Sequence, residues 1–496
     1  MSKSLMIQGT GSGVGKSLIV AALCRIFRQD GYKVAPFKAQ NMALNSFITK
    51  DGGEMGRAQI VQAEAAGIEP TVDMNPILIK PTSDRGAQII VHGKVMDNME
   101  AKEYHQYKKV LLNKVLESFK RLSAKYDLIV IEGAGSPAEV NLRENDLVNM
   151  GLATIINSPV LLVGDIDKGG VFASFVGTLE LLDQPERELI QGFVINKFRG
   201  DLQLLRPGLE FLEKKTAKPV LGVIPYLKDL YIQEEDSIVE NKILSKNNNF
   251  TLKIAVIYLP HISNFTDFDA LAHESDVDLD YIKTRQELKG YDLVIIPGTK
   301  NTIGDLIYLK ENGLAERIKA YYYQSGGVIV GICGGYQILG QTIFDPFHVE
   351  SSRDSIEGLG VFEIDSRLER EKITSQVKAK ILADFGIEDL LTGYEIHMGE
   401  SKYRGDVLVF SKLLRNDGQE VIDGALDKDG LSFGTYIHGL FDNDLFRRRY
   451  LNILRRKKGF EALNQDQNYS FFQNKEENYN RLAKIVRENL DIRRLL

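Results

Sequence analysis

Short apolar runs alternate with amphipathic helical stretches along the first half of the chain. In one such helical stretch, Leu18, Ile19, Ala22, Leu23 and Ile26 form a single apolar face. The runs lie at residues 32–37, 127–132, 159–164, 190–195 and 219–224. Strands separated by helices predict a parallel sheet with helices on both faces.

A polar stretch that has no hydrophobic periodicity follows at residues 239–249, which indicates a linker. A second alternating pattern then begins with an apolar strand at 253–258 and continues with strands near 292–296 and 327–331. We therefore expect an α/β protein with two doubly wound domains. Their predicted bounds are 1–238 and 251–447, with a linker at 239–250 and a helical, polar C-terminal tail at 448–496.

Composition narrows the functional classes. The chain has 496 residues, a net charge of −6 and two cysteines. Because no basic face stands out, we expect no nucleic-acid partner, and we interpret the basic run at 447–458 as the solvated side of a helix. The first residues lead directly into a strand and no apolar run reaches 18 residues, so we expect no signal peptide, no membrane partner and a reducing cytoplasm.

A glycine-rich turn with a terminal Lys-Ser pair follows the first strand, in Gly9-Thr-Gly11-Ser-Gly13-Val-Gly15-Lys16-Ser17. Between a strand and a helix, successive backbone N–H groups cradle phosphates, the lysine reaches the outer phosphates and the serine binds Mg²⁺. Thr10 occupies the position of the first glycine in the usual motif, and Gly9 lies one residue earlier. The turn predicts ATP binding through Gly11, Gly13, Gly15, Lys16 and Ser17.

Two carboxylates are candidates for the magnesium site. Glu132 ends the apolar strand 127–132, where a carboxylate is well placed to hold Mg²⁺ beside a triphosphate. Glu54, in the segment Gly53-Glu54-Met-Gly-Arg, is the second candidate for a magnesium ligand. An ordinary loop role for Glu54 is an equal alternative.

A cysteine lies between glycines in Gly331-Ile-Cys333-Gly334-Gly335, where an apolar strand gives way to a helical pattern. Such an elbow lifts a nucleophile into a cleft, and the thiolate is the reactive form. A general base must come from elsewhere in the chain. His438, at the end of a short apolar strand, is the favoured candidate over His397.

Residues 251–445 resemble the class I glutamine amidotransferases, which release ammonia from glutamine with a cysteine and a histidine. The resemblance implies Cys333 as nucleophile, His438 as general base and acid, and an oxyanion hole at Gly298 and Gly334. Most members have a carboxylate two residues after the histidine, but Leu440 stands there. Asp442 is a weak alternative, so the group that orients His438 stays open.

The N-terminal half is similar to dethiobiotin synthetase and its relatives. That similarity implies a catalytic lysine at Lys38 and an adenine-reading residue at Asn196, which equally suits an ordinary capping role. Taken together, the two halves imply an enzyme that activates a carboxylate with ATP and amidates it with ammonia from L-glutamine.

Over nearly its whole length the chain resembles the cobyric acid synthase family of cobalamin biosynthesis. Four segments carry this resemblance: 37–46, 75–81, 164–173 and 393–399. It implies amidation of the b, d, e and g carboxylates of adenosylcobyrinic acid a,c-diamide, with Gln40, Asn41 and Lys80 near the corrinoid. Alternatively, these residues support the nucleotide site. Two other functions also stay open: a cobyrinic acid a,c-diamide synthase and a nonenzymatic P-loop switch.

Overall fold

The structure is a computed structural model that describes residues 2–81, 86–144, 146–228, 230–233, 251–283, 287–463 and 470–495. The predicted linker 239–250 lies outside the described residues. Within the described ranges, no helix combines the length and the apolar composition needed to cross a bilayer.

The N-terminal half contains a six-stranded parallel sheet and two small accessory sheets. Its strands are β1 Lys3–Gly9, β2 Val34–Phe37, β3 Gln40–Met42, β4 Ser46–Ile48, β5 Glu54–Gly56, β6 Ile77–Pro81, β7 Gly86–Val91, β8 Lys94–Glu100, β9 Leu128–Glu132, β10 Val160–Asp165, β11 Ile190–Phe198 and β12 Val220–Pro225. Its helices are α1 Lys16–Gln29, α2 Arg57–Ala66, α3 Ala101–Ser123, α4 Met150–Ile156, α5 Val171–Leu181, α6 Gln184–Leu189 and α7 Leu202–Thr216.

The main N-terminal sheet has the strand order β12-β11-β10-β1-β9-β2. Its strands are apolar along their length because helices cover both faces. Parallel strands end at the same edge, so the loops after β1, β2, β9, β10 and β11 meet there. The accessory sheets β3-β6-β7-β8 and β4-β5, which the sequence analysis missed, lie in the connection between β2 and β9.

The C-terminal half has a mixed sheet of twelve strands. Its strands are β13 Leu252–Ile257, β14 Val277–Ile282, β15 Leu293–Ile296, β16 Ile329–Ile332, β17 Thr342–Phe344, β18 Ser355–Glu357, β19 Ile364–Ile381, β20 Leu391–Tyr403, β21 Leu408–Arg415, β22 Glu420–Leu426, β23 Phe433–Thr435 and β24 Ile437–His438. The helices are α8 Asp269–Ala272, α9 Thr302–Glu311, α10 Leu314–Tyr323, α11 Gly334–Ile338, α12 Asp444–Lys457 and α13 Phe471–Asn489.

The parallel part of this sheet, in the order β14-β13-β15-β16-β23, matches the predicted doubly wound pattern. The predicted fold class is confirmed. An antiparallel part extends it through β22, β21 and the long hairpin of β19 and β20. Strand β20 also pairs with β24, which sets Tyr394 opposite His438.

The residues after 447 divide between the two halves. Helix α12 packs in the C-terminal core, whereas α13 packs on α1 and contributes Tyr479, Leu482 and Val486 to the N-terminal core. The interpretation of the basic run as a solvated helix side is wrong for Arg447 and Arg455. Both are buried, because their guanidinium groups pair with Glu274 and Asp276 respectively.

Candidate active site

The glycine-rich turn between β1 and α1 folds around the side chain of Lys16. The Lys16 ammonium donates to the carbonyl oxygens of Gly11 at 2.9 Å and Gly135 at 3.0 Å. Gly13 and Gly15 have φ angles of 70° and 98°, which favour glycine. Burial lowers the pKa of Lys16 to about 8, with the positive charge of Lys38 adding to the effect and Glu132 opposing it.

Glu132, at the end of β9, is the hub of this site. Its Oε1 accepts hydrogen bonds from the Ser17 hydroxyl and the Lys38 ammonium, both at 2.9 Å, and its Oε2 accepts one from Gln62. Burial opposes ionisation, but the charge of Lys38 and the three hydrogen bonds hold the pKa of Glu132 below its usual value. A hydroxyl beside one carboxylate suits Mg²⁺, which keeps several waters and takes further oxygens from phosphate.

A cavity of about 550 Å³ opens in front of these groups. Gln40 and Asn41 line it beside Lys16, Lys38 and Glu132. Asn41 is buried and donates to Gln59 Oε1 at 3.0 Å. The structure therefore brings two of the predicted lysines, Lys16 and Lys38, to one cavity with Ser17, Glu132, Gln40 and Asn41.

Asn196 lies behind the glycine-rich turn. Its side-chain amide donates to the Val14 carbonyl at 2.9 Å, and a Cβ on Gly15 would lie 2.1 Å from that amide nitrogen. The neighbouring Lys197 lines the cavity, donates to the Gly13 carbonyl at 2.7 Å and pairs with Asp165. Asn196 is thus placed to support the loop.

The cavity of about 550 Å³ at Lys16 and Glu132 is called the ATP-side cavity. Glu54 is not beside Ser17 and Glu132 and does not line this cavity, contrary to the prediction that it binds metal. Its two carboxylate oxygens pair with Lys80 at 2.8 Å and with Lys372 of the C-terminal half at 2.5 Å. All three side chains are buried, and burial lowers the pKa of Lys372 to about 7 against the attraction of Glu54. Two ammonium groups on one carboxylate leave Glu54 ill suited to bind Mg²⁺, and Lys80 lies in the same ion cluster.

Cys333 lies at a sharp turn between β16 and α11. Its φ and ψ angles are 53° and −112°, a strained conformation for a residue with a side chain. Gly335 permits the turn, because a Cβ there would lie 2.0 Å from the carbonyl oxygen of Ile296. The thiol is nearly buried and its sulfur lies 3.4 Å from the Ile396 carbonyl oxygen.

The imidazole of His438 is hydrogen-bonded to Asp267 through Nδ1, and it interacts electrostatically with the nearby Cys333 sulfur. The distance from His438 Nδ1 to Asp267 Oδ2 is 2.6 Å, and the backbone N–H of Gly439 donates to Asp267 Oδ1 at 3.0 Å. Burial disfavours the imidazolium, but the carboxylate of Asp267 and the Cys333 sulfur outweigh it and raise the pKa of His438 to about 10. The three side chains form a nucleophile–base–carboxylate arrangement.

Asp267 was not predicted from the sequence, because the expected carboxylate position lies close to His438 in the chain. Asp267 lies 171 residues upstream in a 3₁₀ turn, Phe265–Phe268, and no local pattern marks it. Asp442, the weak alternative, is half-buried, its Oδ1 has no hydrogen-bond partner, and desolvation raises its pKa to about 7. The structure therefore places Asp267, and not Asp442, against the imidazole.

His397 makes other contacts. Its Nδ1 lies 2.9 Å from the Gly399 carbonyl oxygen and its Nε2 lies 3.3 Å from Glu395 Oε1. The ring stacks on Tyr436 with centroids 3.9 Å apart. His397 lines the cavity beside Cys333, but both ring nitrogens face groups other than the thiol.

Gly298 and Gly334 flank the cysteine and the histidine. A Cβ on Gly298 would lie 3.0 Å from His438 Cε1, and one on Gly334 would lie 2.7 Å from Thr299 Cγ2. A small cavity at Cys333 and Gly334 also has walls of Thr299, Glu350 and, from the N-terminal half, Lys80. The residues predicted to form the oxyanion hole thus lie at the nucleophile, and the cavity reaches the boundary between the two halves.

Comparisons with known proteins match both halves. Residues 5–238 match the CobQ/CobB/MinD/ParA nucleotide binding domain, and residues 253–446 match the CobB/CobQ-like glutamine amidotransferase domain. Among solved structures, PurLQS from Thermotoga maritima aligns with 41% of this chain and 99% of its own at 20% identity, with a TM-score of 0.33. That similarity is too weak to support an argument.

Curated relatives match along the full length. The cobyric acid synthase of Caldanaerobacter subterraneus subsp. tengcongensis is 52% identical over 100% of this chain and 98% of its own. The enzymes of that name from Clostridium botulinum strain 657 and Syntrophobacter fumaroxidans are 53% and 47% identical, over 99% and 100% of this chain and 98% of their own. The chain belongs to the cobyric acid synthase family.

Proposed function

We propose that this chain converts adenosylcobyrinic acid a,c-diamide to adenosylcobyric acid by amidating its b, d, e and g carboxylates. As a member of this family with both domain types, it is an ATP-dependent, glutamine-hydrolysing ligase that acts in cobalamin biosynthesis. The observation that carries the proposal is the presence in one chain of the Cys333–His438–Asp267 arrangement and the Lys16–Ser17–Glu132 cavity.

The glutaminase reaction starts at Cys333. The Cys333 sulfur attacks the side-chain amide carbon of glutamine, while His438 holds the thiol proton and then gives it to the departing ammonia. Backbone N–H groups near Gly298 and at Gly334 stabilise the oxyanion. Water then cleaves the thioester to glutamate, and Asp267 keeps the imidazole oriented through both steps.

The synthetase reaction activates the carboxylate. A carboxylate oxygen of the corrinoid attacks the γ-phosphorus of ATP, and ADP leaves as an acyl phosphate forms. Lys16 and Lys38 stabilise charge on the transferred group, and the loop glycines hold the phosphates. Ser17 and Glu132 would hold Mg²⁺, which neutralises charge on the phosphates. Ammonia then displaces phosphate to give the amide.

The two cavities suggest where substrates meet. Gln40 and Asn41 line the ATP-side cavity and are placed to contact the corrinoid carboxylate. Lys80 instead lines the small cavity at Cys333. We therefore assign Lys80 to the boundary between the N-terminal and C-terminal halves, which ammonia crosses. We also propose that Asn196 recognises the adenine of ATP, in addition to its contact with the glycine-rich loop.

A mass assay tests the proposed function. The purified chain is incubated with ATP, Mg²⁺, glutamine and adenosylcobyrinic acid a,c-diamide, and the masses of the products are measured by mass spectrometry. Four successive amidations are expected, each replacing a hydroxyl by an amino group and consuming one ATP and one glutamine. Amidation of cobyrinic acid at the a and c positions in place of this substrate would contradict the assignment.

A further inference from the structure

The turn that carries Asp267 is held by the N-terminal half. Asn45 Oδ1 accepts a hydrogen bond from the backbone N–H of Phe265, and Asn264 Oδ1 accepts one from the backbone N–H of Ser46, both at 3.1 Å. Asn45, Ser46 and Asn264 are all buried. These reciprocal bonds fix the start of the turn, because breaking either would leave a buried polar group without its partner.

Asn264 connects this contact to His438 by a second route. Its φ and ψ angles of 52° and 39° are left-handed, and its side-chain amide donates to the Tyr394 hydroxyl at 3.2 Å. The Tyr394 ring stacks on the His438 imidazole with centroids 5.3 Å apart, and the Tyr394 hydroxyl also donates to the Ser46 carbonyl at 3.3 Å. The carboxylate at the Nδ1 edge of the imidazole and the tyrosine stacked on its face therefore both contact or belong to the same turn.

The other end of the turn is held by Gln233. Its amide nitrogen donates to Asp269 Oδ2 at 3.1 Å, two residues after Asp267, and its oxygen accepts from Arg57 at 2.8 Å. The backbone N–H of Arg57 donates to the Asn45 carbonyl at 3.2 Å, which links the two holding points. Gln233 lines the ATP-side cavity, and Asn45 follows three residues after Met42, which lines it too.

We propose that Asn45 and Gln233 are positioning residues for the glutaminase, which tie the orientation of His438 to the walls of the ATP-side cavity. Occupation of that cavity by ATP and corrinoid fixes the segments around Asn45 and Gln233, and these hold Asp267 in hydrogen-bonding distance of the imidazole. Glutamine is then hydrolysed efficiently when an acceptor for ammonia is present. This inference rests on the proposed function.

The test compares Asn45→Ala with a matched control, Thr374→Val. Thr374 donates to the Gly52 carbonyl at 2.8 Å, so its loss also removes a hydrogen bond between the halves but leaves the turn intact. Glutamine hydrolysis is measured with and without ATP plus corrinoid, and amidation is measured with added ammonia. Wild-type amidation with ammonia reports on the proposed function separately.

In wild type, ATP plus corrinoid should raise the rate of glutamine hydrolysis. Asn45→Ala should lose this stimulation and about tenfold or more in kcat for glutamine hydrolysis, because small misplacements of catalytic groups are costly. Its KM for glutamine and its ammonia-driven amidation should stay near wild type, as should all values for Thr374→Val. Asn264→Gly, which keeps the left-handed backbone but loses both side-chain bonds, should repeat the fall in kcat if Asn45→Ala folds poorly.

Two results would overturn the inference. One is equal behaviour of Asn45→Ala and Thr374→Val in glutamine hydrolysis. The other is a wild-type rate of hydrolysis that does not respond to ATP plus corrinoid.

Discussion

His438 Nδ1 lies 2.6 Å from Asp267 Oδ2, although 171 residues separate the two in the chain. The second oxygen of Asp267 accepts a hydrogen bond from the backbone N–H of Gly439, so both oxygens of the carboxylate are held. Most class I glutamine amidotransferases have a carboxylate two residues after the histidine, where this chain has Leu440. Asp267 supplies the missing orienting group from another part of the fold.

Asp267→Asn should lower kcat for glutamine hydrolysis by about 10²–10⁴-fold, because the imidazole loses the partner that sets its tautomer and stabilises its charged form. Amidation with added ammonia should remain near wild type. Steady-state assays with each nitrogen source measure both. Asp442→Asn is the control, since Asp442 does not contact the imidazole, and equal losses in the two variants would contradict the role of Asp267.

His438→Ala should depress glutamine hydrolysis by about 10²–10⁴-fold, the range that general acid–base catalysis contributes. His397→Ala should have a much milder effect, since its ring nitrogens face Gly399 and Glu395. Single-turnover formation of the thioester, followed by trapping of labelled glutamine, distinguishes the two. Comparable severe losses in folded protein would mean that His397 shares the role of base.

Glu132→Gln should lose activity, whereas Glu54→Gln should lose stability. Glu132→Gln should abolish amidation with glutamine and with ammonia, because Ser17 would lose its carboxylate partner at the proposed metal site. Glu54→Gln leaves the buried Lys80 and Lys372 without a counter-charge, and breaking a buried ion pair costs about 3–5 kcal/mol. Its main effect should therefore be on stability, seen in thermal unfolding.

A titration of ammonia-driven activity with Mg²⁺ separates the two roles. The half-saturating Mg²⁺ concentration of folded Glu54→Gln should match wild type. A large increase in that concentration would return Glu54 to the metal site.

Local patterns predicted most parallel strands of both sheets, because these buried strands are apolar along their own length. The edge strand β14 was not predicted, because Asp278 and Asp280 alternate with its apolar residues. The predicted runs 127–132 and 159–164 correspond closely to Leu128–Glu132 and Val160–Asp165. The long hairpin of β19 and β20 escaped prediction because charged residues alternate along its half-exposed strands. Helix α13 was expected to belong to a polar tail. Its apolar face packs against α1, which is far away in the chain, so the sequence near α13 does not indicate this contact.

The candidate site shows the same division. Short motifs marked Lys16, Ser17 and Cys333, because the turns that carry them are formed by residues adjacent in the chain. Glu54 and Asp267 depend on partners brought together by the fold: Lys372 lies 318 residues from Glu54. A carboxylate at a strand end has the same local sequence whether it meets a metal or two lysines, so only the tertiary structure distinguishes them.

In the proposed mechanism ATP activates the carboxylate at Lys16, while Cys333 separately supplies ammonia. The most direct measurement is the mass gain of adenosylcobyrinic acid a,c-diamide in Cys333→Ala and Lys16→Ala, each given ATP with glutamine or with ammonium chloride. Cys333→Ala should amidate with ammonia but not with glutamine, and Lys16→Ala should amidate with neither. Amidation by Lys16→Ala with ammonia would show that ATP activation does not occur at Lys16, and amidation by Cys333→Ala with glutamine would show that Cys333 is not the nucleophile.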